Sequence, residues 1–184
     1  NRKTQMSQSS SRQIPVTIVT GFLGSGKTTF LNHIITNSKS RFAIIENEYS
    51  DVGIDEKILC ENANVVEVLN GCACCNVSET LAVKLNQLYS KISNNSIDAV
   101  IIETTGLAYP VPVAQTFFID ECIKEKYTIN RVVTVVDAKN IISQLNEEKP
   151  IGVHNEAMEQ ISFADCIILN KTDIVNDEEL RVVK

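Results

Sequence analysis

Residues Gly21-Phe22-Leu23-Gly24-Ser25-Gly26-Lys27-Thr28 spell G-x-x-x-x-G-K-T, an octapeptide that works only where a strand hands over to a helix. Both flanks comply. Val16-Thr17-Ile18-Val19-Thr20 has the β-branched density of a buried strand, and Phe30, Leu31, Ile34 and Ile35 recur at the spacing of one helix face. The glycines open backbone conformations closed to other residues, so successive N–H groups turn inward on a phosphate at the positive end of the new helix. Lys27 is placed to reach the β- and γ-phosphates, and Thr28 to put its hydroxyl on Mg²⁺ beside phosphate oxygens and waters. Gly21, Leu23, Gly24, Ser25, Gly26 and Thr29 complete the expected nucleotide contacts.

A chain of 184 residues, 43% of them hydrophobic, has enough apolar mass for one well-cored domain and too little for two of ordinary size. Its net charge of -6, with no run of Lys or Arg, argues against nucleic acid as the main partner. No apolar stretch is long enough to span a bilayer, and the polar segment before Ile14 lacks the core of a secretory signal. The expectation is a cytoplasmic protein without a membrane partner. Residues 1–13, rich in Ser and Gln, read as a disordered leader.

After the first helix, Arg41-Phe42-Ala43-Ile44-Ile45 reads as a strand that ends in the acidic segment from Glu46 to Asp55. That segment is either a solvated loop or a switch that meets a metal ion or the γ-phosphate. Val65-Val66-Glu67-Val68-Leu69 is a further strand, and Glu79 to Ile92 has the periodicity of an amphipathic helix. Asp98-Ala99-Val100-Ile101-Ile102 is a buried strand ending on Glu103-Thr104-Thr105-Gly106. An acid at the tip of an apolar strand, followed by Gly, sets a carboxylate beside Mg²⁺ and a backbone amide beside the γ-phosphate, so Glu103 and Gly106 join Lys27 and Thr28 as candidate catalytic residues. Pro110 and Pro112 precede a helix expected over Val113 to Cys122, and Arg131 to Asp137 forms the next strand.

Asp165 to Leu169 then runs into Asn170-Lys171-Thr172-Asp173, an N-K-x-D tetrapeptide at a strand end. A carboxylate in the plane of guanine accepts from both N1–H and the exocyclic amine, a donor pair that adenine does not offer. Asp173 takes that role, Lys171 lies along the base face, and Asn170 ties the loop together. Alternating strands and helices predict an α/β fold of the phosphate-loop NTPase type, a three-layer sandwich with a mostly parallel sheet and helices on both faces. Every chemical feature lies at the carboxyl end of a strand, where ligands of such sheets collect.

Three of the six cysteines crowd into Cys72-Ala73-Cys74-Cys75, which in a reducing compartment means metal or redox chemistry more often than disulfides. Cys72 and Cys74 project to one side of an extended segment, and a turn after Gly71 would let Cys75 converge with them. Thiolates suit Zn²⁺, and a mixed thiolate and carboxylate set would also accept Co²⁺. A C-x-x-C redox pair and a purely structural zinc are the rival readings. Cys166, inside an apolar run, reads as a small buried core residue.

Together, Gly21 to Thr28, Glu46-Asn47-Glu48-Tyr49, Gly71 to Cys75, Glu103 to Gly106 and Asn170 to Asp173 resemble the CobW-like metallochaperone GTPases, relatives of the nickel-insertion GTPases UreG and HypB. The resemblance covers about residues 14–175 and implies slow GTP hydrolysis coupled to delivery of a transition metal, often Zn²⁺, to a client metalloprotein. It also implies that Glu46 joins Cys72, Cys74 or Cys75 around the ion, with Thr28 on the Mg²⁺. The family carries a C-terminal domain, so residues 14–184 are expected to be a GTPase domain shortened at its C-terminal end. The expected partners are GTP, GDP and the client, with a homodimer left open. A nucleotide or small-molecule kinase with a structural zinc, and a redox or metal-sensing nucleotide-binding module, are the competing functions.

Overall fold

The computed structural model describes residues 12–46, 65–70, 77–92 and 96–184. Six strands form one sheet: β1 (Ile14–Thr20), β2 (Phe42–Glu46), β3 (Val65–Asn70), β4 (Ala99–Glu103), β5 (Tyr127–Asp137) and β6 (Cys166–Asn170). They lie in the order β3-β2-β4-β1-β5-β6, and every neighbouring pair is parallel. Parallel pairing requires a crossover between successive strands; the one from β2 to β3 lies outside the described residues, and the others run through the described helices. They are α1 (Lys27–Asn37), α2 (Val77–Lys91), α3 (Pro110–Ile119), α4 (Glu121–Lys126), α5 (Ile141–Leu145), α6 (Glu156–Ser162) and α7 (Asp177–Val183).

The period of two along each strand sorts the core into layers. Val16, Ile18, Ala43, Ile45, Val100 and Ile102 pack on one face with Leu81, Leu85 and Leu88 of α2 and with Val113 and Phe117 of α3. The intervening Val19, Phe42, Ile44 and Ile101 pack on the other face against Leu31 and Ile35 of α1. The central strands are therefore buried on both sides, which explains why β2 and β4 read as unbroken apolar runs rather than as alternations. This is the expected three-layer phosphate-loop architecture with helices on both faces.

Two local differences from the sequence reading have clear causes. The helix expected over Val113 to Cys122 starts at Pro110, whose preset φ and missing N–H suit a first helical position. It stops at Asp120, which adopts an extended conformation and caps α4 by accepting from the N–H groups of Cys122 and Ile123. Cys166 is half-buried rather than a core residue, and Ile167 beside it is 46% exposed. The reason is topological: β6 is an edge strand of the sheet.

The register places the chemistry. Glu46 is level with Glu103 on one side and with Asn70 on the other, so three strands end on one line. β1 sits between β4 and β5, and the chain leaves it toward β2 yet returns on its opposite side as β5. That reversal of winding opens a crevice at the carboxyl end of β1, where the phosphate loop lies.

Candidate functional site

The loop between Thr20 and Lys27 closes on itself through the Ser25 N–H, which donates to the Phe22 carbonyl at 3.1 Å. Gly26 immediately precedes α1 with φ 95°, a left-handed conformation that a side chain would strain, and a Cβ there would collide with the Asn170 amide. Leu23 and Gly24 form the exposed crest of the loop, while Ser25 is buried and Thr29 is exposed on the first turn of α1. Gly21 is also buried, its α-carbon against the Val135 carbonyl.

Lys27 is only 7% exposed, and its ammonium donates to the carbonyls of Gly21 (2.9 Å) and Phe22 (3.3 Å). The side chain thus curls back over the loop and keeps a cation against its carbonyls. The Thr28 hydroxyl donates to Glu103 Oε1 at 3.3 Å. Two hard oxygen donors, one from the loop and one from the tip of β4, therefore meet. That donor chemistry fits Mg²⁺, which prefers a hydroxyl and one or two carboxylates with waters and phosphate oxygens filling the remaining positions. Glu103 itself is 2% exposed. The next residue, Thr104, is tied to β1 twice, through its N–H to the Val19 carbonyl (3.0 Å) and its hydroxyl to that of Thr20 (2.9 Å). Gly106 is buried against the backbone of Leu23, with room for no Cβ. Loop and strand tip are consequently one packed unit.

The N-K-x-D segment closes the other side. The Asn170 amide donates to the Ser25 carbonyl at 2.8 Å, so this segment is fastened to the loop before α1. Lys171 adopts the left-handed conformation at φ 58°, and its ammonium donates to Asp137 Oδ2 at 2.8 Å. Asp173 follows on an exposed 3₁₀ turn over Thr172–Ile174.

Asp137 is a candidate site residue that the sequence reading did not single out. It ends β5, is 4% exposed, and accepts from the Lys139 N–H (2.9 Å) and the Asn140 amide (2.8 Å) as well as from Lys171. Burial alone would raise its pKa, but these three donors and the Lys171 charge outweigh it, and the carboxyl stays ionised below its usual range. A strand-terminal acid before Ala-Lys-Asn was visible in the sequence, yet nothing there paired it with a lysine 34 positions on.

Because its folded-state pKa is depressed, the stabilisation from Asp137 is fully present above the ordinary carboxylate range and is lost as pH falls through the depressed value. Asp137→Asn is therefore expected to cost about 1 kcal/mol at neutral pH and to weaken guanine nucleotide binding several-fold by freeing Lys171. Urea midpoints of the two proteins should converge in acid, where wild-type Asp137 is itself protonated.

Glu46 is buried at the end of β2, level with Glu103. Cys72, Cys74 and Cys75 lie outside the described residues, as do the acidic segment from Asn47 to Asp55 and most of the leader. β3, however, ends at Asn70, two positions before Cys72 and adjacent to the end of β2. Among the described residues no three His, Cys, Asp or Glu side chains converge as a metal cluster, and no helix is long and apolar enough to cross a membrane.

The arrangement resembles known proteins along nearly its whole length. The family model described as CobW/HypB/UreG, nucleotide-binding domain, matches residues 15–184. Zinc-regulated GTPase metalloprotein activator 1 of Schizosaccharomyces pombe is 41% identical over 179 residues, covering 93% of this chain and 42% of that protein. The zinc chaperone YjiA of Escherichia coli is 38% identical over 170 residues, covering 90% of this chain and 52% of that protein. The crystal structure of Zn(II)-bound YjiA GTPase superposes with a TM-score of 0.67 at 32% identity, over 93% of this chain and 54% of that one. The hydrogenase maturation factor HypB of Archaeoglobus fulgidus, at 17% identity and a TM-score of 0.58 over 93% of this chain and 74% of that one, shares the fold. The chain spans about half the length of the curated relatives it matches. With the matched model running from Pro15 to Lys184 and these identities, the chain belongs to the CobW/HypB/UreG family of nucleotide-binding domains.

Proposed function

We propose that this chain is the nucleotide-driven half of a zinc metallochaperone: it binds and hydrolyses GTP with Mg²⁺ and holds Zn²⁺ for delivery to a client metalloprotein. The observation that carries the reading is the convergence of Lys27, the Thr28–Glu103 pair and the Asn170–Lys171 segment around the end of β1. One group meets phosphate, one meets Mg²⁺ and one frames a base. Relatives described as a zinc-regulated GTPase metalloprotein activator and a zinc chaperone supply the prior for the cargo.

In this mechanism Mg²⁺ would supply charge neutralisation at the β- and γ-phosphates. The chain's own residues do the rest. Lys27 exchanges the carbonyls of Gly21 and Phe22 for phosphate oxygens, Thr28 and Glu103 orient the hard-oxygen set, and the Gly106 amide is assigned to the charge that develops on the γ-phosphate. Asp173 selects guanine while Asn170 holds its loop to Ser25. Zn²⁺, as cargo, is assigned to Cys72, Cys74 and Cys75 with Glu46. Glu46 belongs beside the γ-phosphate because its strand ends level with Glu103. The protein acts in the cytoplasm, and Co²⁺ substitutes for Zn²⁺ as a spectroscopic probe.

The test is metal stoichiometry measured beside GTP turnover. The wild type is expected to bind about one Zn²⁺ or Co²⁺ per chain, with intense thiolate charge-transfer absorption in the Co²⁺ form. Serine at Cys72 or Cys74 should abolish that absorption, and affinity should fall as pH is lowered and the thiols retain their protons. Full stoichiometry in the triple serine variant would place the metal elsewhere.

A further inference from the structure

Gln160 is a polar side chain buried to 1% exposure on α6, outside every motif that the sequence displays. Its amide nitrogen donates to the Gly106 carbonyl and to the Ala108 carbonyl, each at 3.1 Å. A primary amide has two N–H groups, and both are used on one turn of the chain. That turn is closed by the Ala108 N–H donating to the Thr105 carbonyl at 3.1 Å, and Gly106 within it rests on the backbone of Leu23 in the phosphate loop. The anchor is itself anchored: the Gln160 carbonyl accepts from the Thr134 hydroxyl at 2.7 Å, fastening α6 to β5.

Stability alone is a poor reason for this residue. Its Oε1 is buried with no hydrogen-bond partner among the described residues, a cost that an apolar side chain of similar volume would avoid. What an apolar residue could not do is hold two carbonyls, two positions apart, at one fixed place. We propose that Gln160 is a positioning residue for phosphoryl transfer: its amide fixes the Thr105–Ala108 turn against the phosphate loop, so that the Gly106 backbone already stands where the γ-phosphate must be met. The inference rests on the GTPase reading above and deepens it by naming the restraint on the loop after Glu103.

The test compares Gln160→Glu and Gln160→Met with wild type. A carboxylate cannot donate to either carbonyl, whereas its protonated form can donate to one. The small cavity beside Gln160 is lined by uncharged residues, among them Phe22, Thr134, Val135, Ile141 and Gln144, so burial will push the new carboxyl well up from its usual range. In Q160E the kcat for GTP should fall about tenfold or more at neutral pH with KM changed less than about twofold, the mark of a misplaced group rather than lost binding. The ratio of its kcat to that of wild type should then rise as the buffer is made mildly acid. Hydrogen exchange of the backbone between Glu103 and Pro110, read as a variant-to-wild-type ratio at each pH, should follow the same course without needing any turnover. Q160M should show the loss of kcat and the faster exchange but no recovery in acid.

Three results would overturn the proposal: unchanged exchange and kcat in both variants, a loss confined to KM, or a loss that tracks the thermal midpoint alone and ignores pH in Q160E. A wild-type protein that hydrolyses no GTP would instead sink the GTPase reading and the catalytic half of this inference. The exchange measurement would still decide whether Gln160 tethers the turn.

Discussion

Asp173→Asn is expected to reverse the base preference of this protein rather than to abolish nucleotide binding. The turn after β6 commits Asn170 to the Ser25 carbonyl and Lys171 to Asp137, and leaves the Asp173 side chain exposed at the rim. In the proposed role a carboxylate there would accept from both guanine donors. Asparagine presents one donor and one acceptor, which matches the N1–H and C2 carbonyl of xanthine. Sites built on such pairs reject the wrong partner because buried groups are left unmatched, so the ratio of GTP to XTP affinity should fall at least about a hundredfold. Phosphate contacts are untouched, and XTP should bind the variant about as well as GTP binds wild type. Equal losses for both nucleotides would mean that Asp173 supports the loop and does not read the base.

Lys27→Ala should produce the other large effect, in binding and in turnover together. The ammonium is buried and donates to two carbonyls of its own loop, which the proposed mechanism has it exchange for phosphate oxygens. A charge-assisted contact of this type contributes about 1.5–3 kcal/mol, which predicts GTP affinity weakened at least about tenfold. Turnover should fall further, by about a hundredfold or more, because charge on the transferring group grows toward the transition state. Titration with a fluorescent GTP analogue and single-turnover hydrolysis separate the two losses. Tight binding retained with full turnover would remove Lys27 from the phosphate site.

Much of this architecture was legible in the residues. β2 and β4 are continuous apolar runs and β1 is dense in β-branched residues because both faces of these strands are covered, and the loop, Glu103 and Asn170 announce themselves by fixed spacing after strands of this kind. The elements that escaped have weaker local signals. α6 and α7 are only 7 residues each, too short for periodicity to stand out. Their caps were nevertheless readable: Asn155 accepts from the Met158 N–H, and Asn176 forms a capping box with Glu179. The first part of β5 was missed because Thr128 and Asn130 break the apolar run, while Tyr127 is fully buried and its hydroxyl donates to the Leu85 carbonyl at 2.9 Å. Asp137 and Gln160 could not be found at all by spacing. Each acts through a partner more than 30 positions away, at Lys171 in one case and at Gly106 in the other, and only the tertiary fold brings them together.

The central claim is that nucleotide state controls the hold on zinc, and its physical basis is the common line on which β2, β3 and β4 end. Glu46 leads from β2 into the acidic segment, and the cysteine segment follows β3, so γ-phosphate and Mg²⁺ at Glu103 would be felt at both. Linkage makes the coupling reciprocal, with a factor of about 5–150 typical of such pairs. The direct measurement is Zn²⁺ affinity by chelator competition, with GDP and with a non-hydrolysable GTP analogue, in wild type and in Glu46→Ala. The account predicts tighter zinc with the GTP analogue in wild type and loss of most of that difference in Glu46→Ala, whose affinity with GDP is nearly unchanged. Identical zinc affinities in the two nucleotide states of the wild type would contradict it and leave a GTPase carrying a structural metal.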